Sequence, residues 1–85
     1  MTMRVLYFAW VREGVGVGEE LVEPPEDLTD VRALIGWLSQ RSEGHARALA
    51  DRDRLRAAVD QAFVPLDASI IGAREVAIFP PVTGG

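Results

Sequence analysis

Met3-Arg4-Val5-Leu6-Tyr7-Phe8-Ala9-Trp10 (MRVLYFAW) is a dense aromatic and aliphatic run, bounded by Arg12-Glu13-Gly14. It reads as a β-strand over Met3 to Trp10. Strand side chains alternate between faces, so the charge at Arg4 marks one face as open and places Leu6 and Phe8 beside it. Val5 and Tyr7 then point the other way and need a covering layer. Val31, Leu34, Ile35 and Leu38 can supply one, because their spacing of i, i+3, i+4 and i+7 forms a single helical face.

Working outward, Val11 to Gly18 (VREGVGVG) carries glycine at alternate positions and reads as a flexible hairpin loop. Glu19 to Glu23 (EELVE) reads as a second strand, paired with the first in a hairpin and ended by Pro24-Pro25, which cannot donate ladder hydrogen bonds. Thr29 is the expected N-cap of the main helix, with Asp30 in its first turn. That helix should end near Ser42-Glu43-Gly44. Gly36 lies inside it at a propensity cost of about 1 kcal/mol, a position where another segment could approach closely. A short second helix is expected within His45–Asp53. Leu55, Ala57 and Val59 alternate with Arg54, Arg56 and Ala58 as a third strand. Asp60-Gln61 reads as a turn, Ala62-Phe63-Val64 as a fourth strand, Gly72-Ala73 as a turn, and Glu75–Phe79 (EVAIF) as the last strand. The order is two strands, a long helix, a short helix, then three strands. This predicts an α+β domain of two layers, a mixed sheet with one long helix packed on one face, for which a β-grasp sheet fits. Residues 1–79 form the expected domain and 80–85 an extended tail.

Composition narrows the function. The chain has 85 residues and a net charge of −4, which argues against a phosphate-backbone binder and hence against nucleic acid. With no cysteine, disulfides, thiol catalysis and cysteine-ligated metals are excluded. No apolar run reaches about 18 residues, so no membrane span is expected, and the cytoplasm is the default location. All nine basic residues are arginine. No side chain of this chain can therefore form an isopeptide or a Schiff base.

Several tempting motifs have plain readings. Gly14-Val15-Gly16-Val17-Gly18 lacks the lysine of a P-loop, and the segment after it reads as a strand where a phosphate cradle needs a helix. His45 is the lone histidine, so no His-pair metal site exists, and a surface or capping role is expected. Asp51-Arg52-Asp53-Arg54 reads as a solvated turn with weak ion pairs. Trp37 falls at the edge of the apolar stripe and is expected to pack there. No Ser/His/Asp set or carboxylate pair stands out, so a complete active site is not expected within the chain.

One pattern is less ordinary. Glu75 marks the open face of the last strand, which places Ala77 and Phe79 there, and Gln61 does the same for Phe63. The helix covers Val5, Tyr7, Val76 and Ile78. All three phenylalanines, Phe8, Phe63 and Phe79, thus fall on the solvent side, as an exposed apolar patch of the kind used for protein contact.

The chain closes on Phe79-Pro80-Pro81-Val82-Thr83-Gly84-Gly85 (FPPVTGG). The proline pair holds the backbone extended and removes two donors. Residues Pro80 to Gly85 could reach about 20 Å at full extension. The terminal carboxylate is a poor electrophile until a partner converts it to an acyl-adenylate or similar anhydride. Gly84-Gly85 suits that step, because a narrow tunnel can admit bare backbone.

At this point the sequence resembles a family, the small subunits of molybdopterin synthase, which are ubiquitin-like sulfur carriers. The resemblance rests on Val5-Leu6-Tyr7-Phe8-Ala9 with Val11-Arg12-Glu13, on Ala57-Ala58-Val59, and on Glu75-Val76-Ala77 followed by FPPVTGG. Two departures are visible: Asp60-Gln61 stands where the family usually has an Asn-containing turn, and Ala73-Arg74-Glu75 where it usually has Gly-Asp-Glu. The resemblance implies a β-grasp fold and a cycle. An adenylyltransferase related to ubiquitin-activating enzymes would adenylate Gly85 with ATP, and a sulfur donor would convert it to a thiocarboxylate. The large synthase subunit would accept the tail, supply most of the active site, and pass the sulfur to a cyclic pyranopterin precursor. Gly85 is then the reactive carrier and Gly84 the thread. Phe8, Arg12, Phe63, Phe79, Pro80 and Pro81 are the implied partner contacts. No metal and no bound cofactor are expected on the chain itself. The alternatives are a sulfur carrier for thiamine thiazole synthesis, a ubiquitin-like protein modifier, and a non-catalytic interaction domain.

Overall fold

The computed structural model describes residues 2–81. Five strands, β1 (Met3–Tyr7), β2 (Glu19–Val22), β3 (Arg56–Val59), β4 (Ala62–Val64) and β5 (Glu75–Phe79), form one sheet in the order β2-β1-β5-β3-β4. β1 and β5 run parallel; the other neighbours are antiparallel. This is the mixed β-grasp sheet that the element order leads one to expect. Three short helices accompany it: α1 (Ala9–Val15), α2 (Val31–Leu38) and α3 (Glu43–Ala48). The core lies between one sheet face and the helices. Val5, Tyr7, Val76 and Ile78 are fully buried there with Val31, Leu34, Ile35 and Leu38, as the two periodicities require.

Several expectations need correction. The glycine-rich segment after β1 is helix α1, not a flexible loop, so β1 and β2 pair antiparallel without a tight hairpin turn. The strand stops at Tyr7, because Ala9 takes a left-handed φ of 53° that turns the chain into α1. Gly16, at φ 100°, ends the helix with its N–H bonded to the Arg12 carbonyl, the usual glycine device for closing a last turn. Gly14 and Gly44 serve packing. A side-chain carbon at Gly14 would stand 2.7 Å from Ala48 Cβ, and one at Gly44 would stand 2.5 Å from the Gly14 carbonyl oxygen. α1 and α3 therefore touch backbone to backbone.

The main helix is also shorter than the sequence suggests. α2 spans eight residues and stops at Leu38, where the Ser39 hydroxyl donates to the Gly36 carbonyl at 2.8 Å. Its N-cap is Asp30, not Thr29: Asp30 Oδ1 accepts from the Ala33 N–H at 2.8 Å. Thr29 instead gives its carbonyl to Ile70 N–H. α3 begins earlier than expected, at Glu43 behind a Ser42 cap, and Arg52–Arg54 forms a separate 3₁₀ turn. Gly36 does admit a neighbour, the Arg52 guanidinium. Trp37 packs partly against the core beneath Arg41, whose guanidinium carbon stands 5.5 Å from the ring centroid.

Finally, His45 is buried, not at the surface. The capping region does involve it, since its backbone N–H donates to the Ser42 hydroxyl at 3.1 Å.

Candidate functional site

The open face of the sheet carries cross-strand rows of side chains. Register places Leu6 opposite Ala77, Ala77 opposite Ala58, and Ala58 opposite Phe63, so these four share one row. Directly opposed residues lie on the same face. Around this row runs a shallow apolar groove of about 610 Å³ lined by Leu6, Phe8, Phe63, Ala77, Phe79 and the Pro80-Pro81 pair, with Gln61 and Glu75 at its polar end. Phe63 is 82% exposed and Phe8 48%. Large aromatics this wet contribute little to the fold and leave an apolar surface for contact.

Local chemistry positions each of them. Phe63 follows a two-residue turn in which Asp60 and Gln61 both take positive φ, 48° and 73°. This is the turn type that matches strand twist in a tight hairpin. Asp60 Oδ1 fixes it by accepting from the backbone N–H groups of Arg74 and Glu75, both at 3.0 Å. Phe8 sits at the junction of β1 and α1, and its backbone N–H donates to the Ile78 carbonyl at 3.3 Å. Phe79 is the last residue of β5, immediately before Pro80. The three phenylalanines of the sequence reading are therefore on the open face, and Pro80 and Pro81 join them. Arg12 lies elsewhere: it is one helical turn beyond Phe8, with its guanidinium against Gly18. Gly84 and Gly85 lie outside the described residues.

Leu6 and Ala77 were placed on this face by strand parity. Ala58 shares the parity of Arg54 and Arg56, and the register adds that it stands between Ala77 and Phe63. The far end of the face is charged but compensated, with Arg4 Nε 3.5 Å from Glu19 and its Nη1 4.0 Å from Glu75.

A second cluster lies behind the sheet edge. Glu20 Oε2 accepts from Tyr7 OH at 2.6 Å and meets His45 Nε2 at 2.7 Å; His45 Nδ1 meets Ser42 Oγ at 2.7 Å. Arg41 Nε stands 3.5 Å from Glu20 Oε1. Burial and the Glu20 hydrogen bond push the Tyr7 phenol well above its ordinary value. For Glu20, burial works to raise the pKa, but the hydrogen bonds from Tyr7 and His45 and the charges of His45 and Arg41 outweigh it, so the carboxyl sits below its ordinary value. Serine, histidine and glutamate in series resemble a nucleophilic relay. Here Ser42 Oγ is already engaged as a helix cap, the imidazole is buried, and Glu20 is shared with a tyrosine. The arrangement ties β1, β2 and α3 together.

The chain is similar to proteins of known family. The ThiS family model matches residues 5–85. The molybdopterin synthase sulfur carrier subunit of Escherichia coli K12 is 43% identical over 83 residues, covering 98% of this chain and 99% of the relative. Among solved structures, a Pyrococcus furiosus protein described as molybdopterin converting factor, subunit 1, has a TM-score of 0.72 at 31% identity, covering 96% of this chain and 99% of that one. The small archaeal modifier protein 1 of Haloferax volcanii has a TM-score of 0.70 at 25% identity, covering 95% and 98%.

Proposed function

The chain belongs to the ThiS family, and from that premise we propose that it is the sulfur carrier subunit of a molybdopterin synthase. The observation that carries this reading is the 43% identity to the Escherichia coli sulfur carrier subunit over 98% of the chain, within a family match that runs from the first strand through Gly84-Gly85. In this reading Gly85 is the working residue. An adenylyltransferase consumes ATP to activate its carboxylate, and a sulfur donor displaces AMP to leave a thiocarboxylate. The large synthase subunit accepts the tail and directs the sulfur to a cyclic pyranopterin precursor. The apolar face is the docking surface, with Phe8, Phe63 and Phe79 as anchors and Pro80-Pro81 as the stiff lead into the tail. Gly84 is thin enough to thread a tunnel. ATP is a substrate of the activating partner and not a ligand of this chain, and the cycle runs in the cytoplasm.

The test is intact mass after incubation with ATP, a sulfide source and the cognate adenylyltransferase. Exchange of one oxygen for sulfur adds about 16 Da to the activated chain. A chain lacking Gly85 should gain no sulfur and restore no molybdopterin formation. Restoration by the truncated chain sinks the carrier reading.

The similarity to a small archaeal modifier protein favours one second reading, a ubiquitin-like modifier. Covalent ladders on other proteins, without a thiocarboxylate, would select it.

A further inference from the structure

Arg32, Arg52 and Arg56 line a surface groove of about 390 Å³ whose floor is Leu55, Val64 and Leu66. The three arginines come from different elements: the first turn of α2, the 3₁₀ turn and the start of β3. Two of them are held in place. Arg52 Nη1 donates to the carbonyls of Leu49 at 2.6 Å and Ala50 at 3.3 Å. Arg56 Nη1 donates to the carbonyls of Leu55 at 2.8 Å and Asp53 at 3.1 Å. One nitrogen of each guanidinium is used this way, and the remaining N–H donors stay available.

Among the described residues, no carboxylate lies within ion-pair distance of Arg32, Arg52 or Arg56. Asp53 is the one acidic residue on the groove, facing three guanidiniums. In a chain of net charge −4 this is a local reversal of sign. It also contrasts with Arg4 at the far end of the sheet, which two glutamates neutralise.

The groove adjoins the docking face at one residue, Arg56. Arg56 is the cross-strand partner of Phe79, the residue from which the tail departs. A partner that covers Phe79 and receives the tail therefore meets the Arg56 guanidinium first, and reaches Arg52 and Arg32 by extending past this edge. We propose that the groove docks an acidic segment of the tail-receiving protein. Its carboxylates would meet the arginines, and its aliphatic carbons would lie on the partly exposed Val64 and Leu66. A free phosphate fits less well. Phosphate sites gather converging backbone N–H groups, whereas Pro65 in this groove has none and Arg32 N–H is spent on the Leu66 carbonyl at 2.8 Å. Guanidinium and carboxylate match in planar, two-bond geometry.

The inference rests on the carrier reading, and its test separates the two. Binding of the full chain to the large synthase subunit is measured by titration calorimetry at low and moderate salt. Arg32→Glu is the main variant. Its side chain makes no hydrogen bond among the described residues, and an acidic residue suits the first turn of a helix. Arg56→Met is the second variant, keeping the apolar stem. Each should weaken binding, by roughly tenfold for the charge reversal, and flatten its salt dependence. The melting temperature of each isolated variant should match that of the parent. If both variants bind like the parent while Phe63→Ala binds more weakly, the groove is idle and the proposal falls, with the carrier reading intact. If pyrophosphate binds the isolated parent but not Arg32→Glu, while partner affinity is the same for both, the groove serves a small oxyanion and the proposal falls. Absence of any binding by the parent chain overturns both.

Discussion

The rings of Phe63 and Phe79 lie with centroids 5.5 Å apart, tilted by 47°, although strand β3 runs between the strands that carry them. Two strand spacings come to about 9.6 Å. On β3 Phe63 stands opposite Ala58 and Phe79 opposite Arg56, so the rings meet on a diagonal, and the small Ala58, only 6% exposed, leaves room for them to close the gap.

Phe63→Ala should barely change the stability of the isolated chain, by less than about 0.5 kcal/mol, since the ring is mostly in water. Its loss should cost about 2 kcal/mol or more in affinity for the tail-receiving partner if it is a central anchor. Ala58→Leu should weaken the same binding by wedging the rings apart. Thermal melts and partner titration check both. A large drop in melting temperature for Phe63→Ala with unchanged binding would return the ring to a structural role.

Gly14→Ala tests the α1–α3 contact. In an exposed helix the change would help by about 1 kcal/mol. Here the new methyl meets Ala48 Cβ at 2.7 Å, so the expected effect is a destabilisation of about 1–3 kcal/mol from overpacking. Denaturant titration gives the sign. A stabilised variant would show that the two helices do not touch at this point.

Glu20 ties acid stability to the Tyr7–His45 cluster. Its folded pKa lies below the ordinary value, so its contribution is fully present above the unfolded carboxyl pKa of about 4.3. That contribution is lost as pH falls through the depressed folded value. Glu20→Gln has no carboxyl at this position to titrate. The stability gap between parent and variant should be widest near neutral pH and narrow below pH about 4. A gap independent of pH would mean that the folded and unfolded carboxyls titrate alike.

The absence of lysine bears on carrier chemistry. If Gly85 is activated as proposed it is an acyl donor, and no side chain of this chain offers it an amine. Activation of the chain alone should therefore yield no side-chain-linked polymers, and any conjugate should map to a lysine of another protein. Tandem mass spectrometry reads this directly. Abundant dimers joined through an α-amino group would show that the activated tail reacts freely in solution, against a sheltered carrier.

Much of this protein was legible residue by residue. Alternation along Met3–Tyr7 and Glu75–Phe79 decides which side chains are buried, and the four-residue apolar stripe of α2 decides what covers them. Both are short-period patterns, written in neighbours along the chain. The placing of all three phenylalanines on the open face followed from the same parity. What escaped the sequence depends on residues far apart. α1 has seven residues, too few to hold alone in water; it forms because Gly14 and Gly44 let α3 pack against it, so its glycines imitate a loop until that neighbour is known. His45 is buried because Glu20, 25 residues earlier, comes to meet it. The arginine groove likewise draws on three elements, and no local spacing announces it. Periodicity fixes which way a side chain points; only tertiary packing decides what stands there to receive it.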